Sequence, residues 1–311
     1  MCKLLMIPHV PQGYSQAAWE FVRAAHGVQT QADSDGYGYA ALSRGGGLFA
    51  ERWFPAAQAF GGGSASVRLA EKIAASYGPA LVPAPVYEHI GDGEGPGSDI
   101  AAILVHARRA NCARSLRNTH PFVCGTGPYR QGPDGRTFGT TAAMIHNGRI
   151  ENDAKLTRMF SSCDSEVILH QYTGAAVHEM PERFQSVASV LEGHYALGFI
   201  ARQEAGRWVV DIVRDDRAKL AAAWIGEIHA VVFCTTEDIL DAAARELGWR
   251  APDYFAVREN VLIRHDPFTG EVLAVEGFTP AGRPQPEATA PETDTRLHPL
   301  EADRTVQASV V

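Results

Sequence analysis

Residues Met1–Val10 read MCKLLMIPHV, and the fold turns on what Cys2 is. Cysteine at the second position is small enough for the initiator Met1 to be removed. Removal leaves Cys2 with a thiol and a free α-amine on one residue. An α-amine titrates near roughly 7.7–8.0, so part of it is neutral and basic at pH 7. A neutral amine beside a thiol supplies a nucleophile and its general base together. Taken alone, a Cys after Met is more often an inert residue than a catalytic one. Behind it, Lys3–Ile7 is a short apolar run bounded by Pro8, the pattern of a buried strand.

The bulk properties narrow the class. The chain of 311 residues is 45% hydrophobic and 21% charged, a globular balance with ample material for a core. A formal net charge of −8 argues against a partner held by phosphate neutralisation, so no nucleic acid is expected. No run approaches the ~18 apolar residues that span a bilayer, and LLMIPHV is too short and too broken for a secretory signal. No membrane is therefore expected. Five cysteines (Cys2, Cys112, Cys124, Cys163 and Cys234) are odd in number and widely spread. They do not form a disulfide framework and fit a reducing cytosol, so a cytoplasmic location is expected.

Along the chain, 15–27 places Ala18, Phe21, Val22 and Ala25 at helical spacing, with Ser15 as N-cap and Gly27 as stop. DSDGYGYAAL and LFAERW read as strands around the turn SRGGG. GGGSASVRLAEKIAASYG suggests a glycine hinge and a short helix. DIAAILVHARRA begins as a buried strand, and TTAAMIHNG is another ending in a turn. Between them CGTGPYRQGPDGRTFG, with its glycines and prolines, reads as a long loop over 125–139. CDSEVILHQYTG opens a helix with an acidic cap, and PERFQSVASVL reads as a further helix. HYALGFIAR, RWVVDIVR, IHAVVFCTT, ENVLIRH and GEVLAVE read as strands, interrupted by the helix EDILDAAARELG. The expected domain is 2–278, followed by a Pro-, Glu- and Thr-rich disordered tail over 279–311. Layered sheets covered by helices suit this pattern.

Three compact motifs occupy the middle: HARRAN at 106–111, NTHPF at 118–122 and IHNGRI at 145–150. A fourth, CDSE at 163–166, opens a helix. A thiolate attacking an amide needs donors for the developing oxyanion, and Asn147 with the Gly148 N–H can supply two at a strand end. Arg108 offers a bidentate fork for a carboxylate, and Asp164 an acceptor for an ammonium. Together they would hold the amino-acid end of glutamine or a γ-glutamyl group and leave its side-chain amide at Cys2.

The order Met-Cys, DGYGYA, HARRAN, NTHPF, IHNG, DSE resembles the class II glutamine amidotransferases, of the N-terminal nucleophile hydrolase superfamily. It is most similar to the small stand-alone glutaminase-domain type, over roughly 2–240. The resemblance implies an α+β fold, a four-layer αββα sandwich of two antiparallel sheets. It implies Cys2 as nucleophile with its own α-amine as base, and Asn147 and Gly148 as the oxyanion hole. Arg108 and Asp164 would clamp the substrate, with His106 and His120 shaping its pocket. No metal and no cofactor is implied, and the partners are a glutamine or γ-glutamyl substrate and a separate synthase subunit.

The chain departs from that pattern at Lys3, at Asn111-Cys112-Ala113 after HARRA, and in the glycine-rich stretch between NTHPF and HNG. A different class of reading stays open, a non-catalytic or partner-dependent subunit that binds an amino acid. Structurally, His106, His120 and His146 read as satisfied core or turn histidines. With Cys112 and Cys124 they raise a metal alternative, but the short Cys pairing of structural zinc sites is missing. HNG alone is a hairpin turn signal. The triple glycines at 45–47 and 61–63 lack a phosphate-loop ending and read as turns.

Overall fold

Lys3–Ile7 forms strand β1 at the heart of the molecule, and its alternation shows how the layers stack. Leu5 and Ile7 pack with helices on one side, while Leu4 and Met6 face a second sheet. Successive side chains of a strand point to opposite faces, so one strand can serve two cores.

The computed structural model describes residues 2–32, 35–53, 99–109, 118–131, 137–156, 161–175 and 177–283. After β1 come α1 (Ser15–Ala32), β2 (Tyr37–Ser43), β3 (Leu48–Trp53) and β4 (Ile100–Ala107). β5 (Phe122–Gln131), β6 (Thr137–Ile150), α2 (Ser165–Gly174) and α3 (Phe184–Ala188) follow. Then come β7 (Gly193–Arg202), β8 (Trp208–Arg214), β9 (Ala221–Ile225), β10 (Ala230–Cys234) and α4 (Glu237–Leu247). β11 (Asp253–Phe255), β12 (Val261–His265) and β13 (Val272–Gly277) complete the described chain.

The strands form two antiparallel sheets, in the orders β11-β9-β10-β1-β4-β2-β3 and β13-β12-β8-β7-β6-β5. Three apolar cores separate four layers. One lies between α1, α4 and the first sheet, with Phe21, Val22, Ile103, Val105 and Leu240. The middle core joins the sheets through Leu4, Met6, Leu104, Ile145 and Ile212. The third seats α2 and α3 on the second sheet through Val167, Tyr172, Phe184 and Phe199. The architecture is the αββα sandwich. Gly198 on β7 sits where a Cβ would overlap Met6 Sδ and come within 3.2 Å of Leu104, so a glycine lets the sheets approach there.

One buried ion pair stands in the outer face of the second sheet. Asp211 on β8 takes two hydrogen bonds from Arg264 on β12, at 2.7 and 2.6 Å, and a third from Tyr172 at 2.9 Å. The two residues are register partners. Arg264 also donates to the Val177 carbonyl at 2.8 Å, so the pair is well satisfied.

Several expectations need correction. α1 runs past Gly27 to Ala32. Ser15 is the first residue of α1 rather than the residue before it, and its Oγ accepts the Ile100 N–H at 2.9 Å, tying α1 to β4. Of the stretch expected as a loop at 125–139, residues 125–131 and 137–139 belong to strands β5 and β6, which pair from Phe122↔Met144 to Gln131↔Thr137. Register shifts on both sides of Gly125 accommodate its irregular sequence. β9 and β11 escape the sequence patterns, because Ala221–Ile225 has little β-propensity and is held by its neighbours β10 and β11. Residues 279–283 pack on the body: Gln185 brackets Thr279, and Arg283 forms a bidentate pair with Asp216. The glycine hinge and helix expected over 61–78, Cys112, and the tail beyond 283 lie outside the described residues. Gly46, at φ +84°, turns β2 into β3 as expected of that glycine run. Among the described residues no helix is long and apolar enough to cross a membrane.

Candidate active site

Strand register brings the four motifs to one end of the gap between the sheets. β1 and β4 run antiparallel with Lys3 opposite Ala107 and Leu4 opposite His106, so Cys2 meets the chain at Arg108–Arg109. The Cys2 Sγ lies 3.4 Å from both the N and the O of Arg109. Cys2 shares the parity of Leu4 and Met6, which face the second sheet. On β6, Ala143 and Ile145 face the first sheet, and Asn147 continues their row. His106 fixes the mutual level of the two rows by donating Nε2–H to the His146 carbonyl at 2.9 Å. Cys2, Arg108 and Asn147–Gly148 therefore share one end of the gap, the first two from β1 and β4 and the last from β6.

Gly148 is required by contact as well as conformation. At φ +157° a Cβ would overlap the His194 carbonyl oxygen and lie 2.7 Å from His146 Nε2. Asn147 is buried, and its Oδ1 has no hydrogen-bond partner. Oxygen and nitrogen of an amide are exchanged by a half-turn, which would present Nδ2–H at that unpaired position.

The start of α2 closes the site from the helix side. Asp164 Oδ2 accepts the Ile150 N–H at 2.8 Å, and Ser165 Oγ lies 2.8 Å from His146 Nδ1. Asp164 stands at the helix N-cap but makes no cap hydrogen bond there, which corrects the expected acidic cap. Asn118 holds Ser162 in both directions, at 2.8 Å through Nδ2 and 3.0 Å through Oδ1. NTHPF and CDSE are thereby locked together. Asn118 and Ser165 carry no obvious chemistry in the sequence. The available signal was their place inside NTHPF and CDSE, beside residues chosen for their charge.

Three imidazoles fill the space beneath. The ring centroids of His106 and His120 are 4.0 Å apart, and those of His120 and His146 6.4 Å. They are not the satisfied core histidines expected: His106 Nδ1, both nitrogens of His120 and His146 Nε2 are buried without a hydrogen bond. Burial lowers the pKa of His106 to about 3 and that of His120 well below its ordinary value, with the positive charge of Arg108 adding to both. Burial also lowers His146, against a pull upward from Asp164. All three rings are neutral at pH 7. Arg108 itself is 1% exposed, at the root of this cluster. Arg52 reaches in from β3 and donates to the Thr119 carbonyl at 3.2 Å. Among the described residues no three His, Cys, Asp or Glu side chains converge as a metal would need.

No family model and no curated protein matches the chain. Solved structures do. Glutamine phosphoribosylpyrophosphate amidotransferase from B. subtilis, complexed with ADP and GMP, superposes with a TM-score of 0.56 at 14% identity. That match covers 86% of this chain and 47% of the other. A structure described as the allosteric regulatory enzyme of purine biosynthesis gives a TM-score of 0.54 at 15% identity, covering 86% and 47%. The chain thus spans about half the length of the structures it matches. The likeness shows a shared fold, and at that level the expected four-layer αββα sandwich of two antiparallel sheets holds.

Proposed function

We propose that the chain hydrolyses the side-chain amide of glutamine or of a γ-glutamyl amide, with Cys2 as nucleophile once Met1 is removed. The observation that carries this reading is the register that sets Cys2, Arg108 and Asn147–Gly148 at one end of the gap between the sheets.

In this reading the Cys2 α-amine takes the thiol proton and Sγ attacks the amide carbon. The oxyanion accepts hydrogen bonds from Gly148 N–H and Asn147 Nδ2–H, one such donor being worth about 2.7–4 kcal/mol of barrier. The protonated amine then gives its proton to the leaving nitrogen. Ammonia or an amine departs, and a γ-glutamyl thioester remains on Cys2. Water, activated by the same amine, hydrolyses the thioester and restores the thiol. Arg108 grips the substrate carboxylate as a bidentate fork. Asp164 offers the substrate ammonium its Oδ1, since Oδ2 already holds Ile150 N–H. His106 and His120, neutral and buried, give the pocket floor its shape without adding charge.

Intact mass before and after 6-diazo-5-oxo-norleucine tests the reading. Loss of Met1 and a single adduct on Cys2 are expected. A retained Met1, or a free Cys2 that takes no adduct, would count against it.

A further inference from the structure

Gly148 lies in a slot whose walls are two groups, the carbonyl of His194 on β7 and Nε2 of His146. The ring that forms one wall is held by Ser165, whose Oγ is 2.8 Å from Nδ1. Ser165 is the first residue of α2, so the helix reaches across to steady a side chain at the end of β6. Three further contacts bracket the same segment. The His146 carbonyl accepts from His106 at 2.9 Å, the Ile150 N–H is held by Asp164 at 2.8 Å, and Gly148 pairs with Tyr195.

The protonation of the chain of contacts follows from its partners. Ser165 Oγ is 3.5 Å from Asp164 Oδ1, too long for a good O–H···O bond, and 2.8 Å from His146 Nδ1. The hydroxyl proton therefore goes to Nδ1, which leaves the ring proton on Nε2. There it faces the His194 carbonyl, an interaction that favours the protonated nitrogen although it falls short of hydrogen-bond geometry. The imidazole is held at Nδ1 by Ser165 and, with the His194 carbonyl, walls the slot at Gly148.

We infer that Ser165 and His146 are positioning residues for the Asn147–Gly148 peptide: the hydroxyl sets the tautomer and plane of the ring, and the ring sets the direction of the Gly148 N–H. An N–H aimed at the oxyanion rather than at the ground-state carbonyl acts on turnover, not on binding. The kinetic consequence rests on the amide hydrolysis proposed above; the tautomer consequence does not.

The test compares the full chain with its Ser165→Ala and Ser165→Thr variants by two readouts. With glutamine, Ser165→Ala should lower kcat by about 10–100-fold, less than the roughly 10²–10³ lost when an oxyanion donor is removed outright. KM should stay within about threefold, and Ser165→Thr should restore most of kcat because it keeps the hydroxyl. The second readout is the pair of His146 ring 15N chemical shifts. The wild type should show protonated Nε2 and bare Nδ1, and Ser165→Ala should mix the two tautomers. An unchanged kcat with unchanged ring shifts would overturn the inference, as would a change confined to KM. If the wild-type chain hydrolyses no γ-glutamyl amide, the proposed activity fails and the ring shifts alone decide this point: unaltered shifts in Ser165→Ala overturn it, and a mixed tautomer upholds it.

Discussion

His106 on β4 donates its Nε2 proton to the main-chain carbonyl of His146 on β6, 2.9 Å away. The two strands belong to different sheets. A single side chain thus fixes how far one sheet can slide over the other at the end where Cys2 and Asn147 meet. Apolar packing is non-directional, so the middle core by itself sets the spacing of the sheets more firmly than their register.

Cys2→Ala should abolish hydrolysis, by at least about a thousandfold, since removing a nucleophile removes the covalent route. The fold should persist. Cys2 is half-buried and its contacts to Arg109 are long, at 3.4 Å, so stability should change by less than about 0.5 kcal/mol. Ammonia release and thermal unfolding on the same sample check both halves. Residual turnover near the wild-type rate would remove Cys2 from the mechanism.

Gly148→Ala places a methyl group against the His194 carbonyl and His146 Nε2. Neither wall is the free end of a flexible chain, so β6 and β7 must part locally. Forcing a group into a packed site costs about 1–3 kcal/mol, and a domain of this size loses about 2–4 °C of Tm for each kcal/mol. The expected result is a lowered Tm together with lost activity. An unaltered Tm would mean that the slot is wider than described.

Asp211→Ala leaves Arg264 buried among Tyr172 and the Val177 carbonyl without its counter-ion. Both partners of the pair are almost fully excluded from water, at 0% and 3% side-chain exposure. Removing one member of such a pair destabilises by about 3–5 kcal/mol. Urea unfolding of the variant should show a lower midpoint at unchanged slope. The double replacement of Asp211 and Arg264 by apolar residues of similar volume should recover much of the loss.

Acid should unfold the protein through its histidines. Burial depresses His26 and His106 to about 3 and His265 to about 4, and it lowers His120 and His146 as well. The unfolded chain binds protons on these rings near pH 6.5, while the folded chain does not. Stability is therefore complete above about 6.5 and falls as pH drops from there towards 3–4, by up to about 1.4 kcal/mol per pH unit for each ring. Urea midpoints measured from pH 7.5 down to 5 should show this decline. A midpoint independent of pH across that window would contradict the buried neutral rings.

Much of the layer structure is legible without coordinates. LLMI and AAILVHA are short apolar runs that read as buried strands and are strands, and EDILDAAAREL has helical spacing ended by Gly248 at φ +68°. The motif residues carry their chemistry in their side chains, so a bidentate guanidinium, an amide donor and a terminal thiol stand out at any position. Local sequence misleads where pairing overrides propensity. The glycines and Pro128 of the 125–139 stretch suggest a loop, yet β6 supplies a ladder partner and the bulges absorb the misfits. Ala221–Ile225 is a strand because β10 and β11 flank it.

The site divides in the same way. Which residues can act on an amide is a matter of residue type, and the sequence by itself determined that much. Tertiary structure alone decided that His106 meets His146 across 40 positions and Leu4 meets Thr235 across 231. It also decided that Ser165 steadies a ring and that Asp164 spends one oxygen on Ile150. Side-chain identity and period are local properties of the chain. Register between sheets arises only when hydrogen bonds and packed surfaces from distant segments are satisfied together.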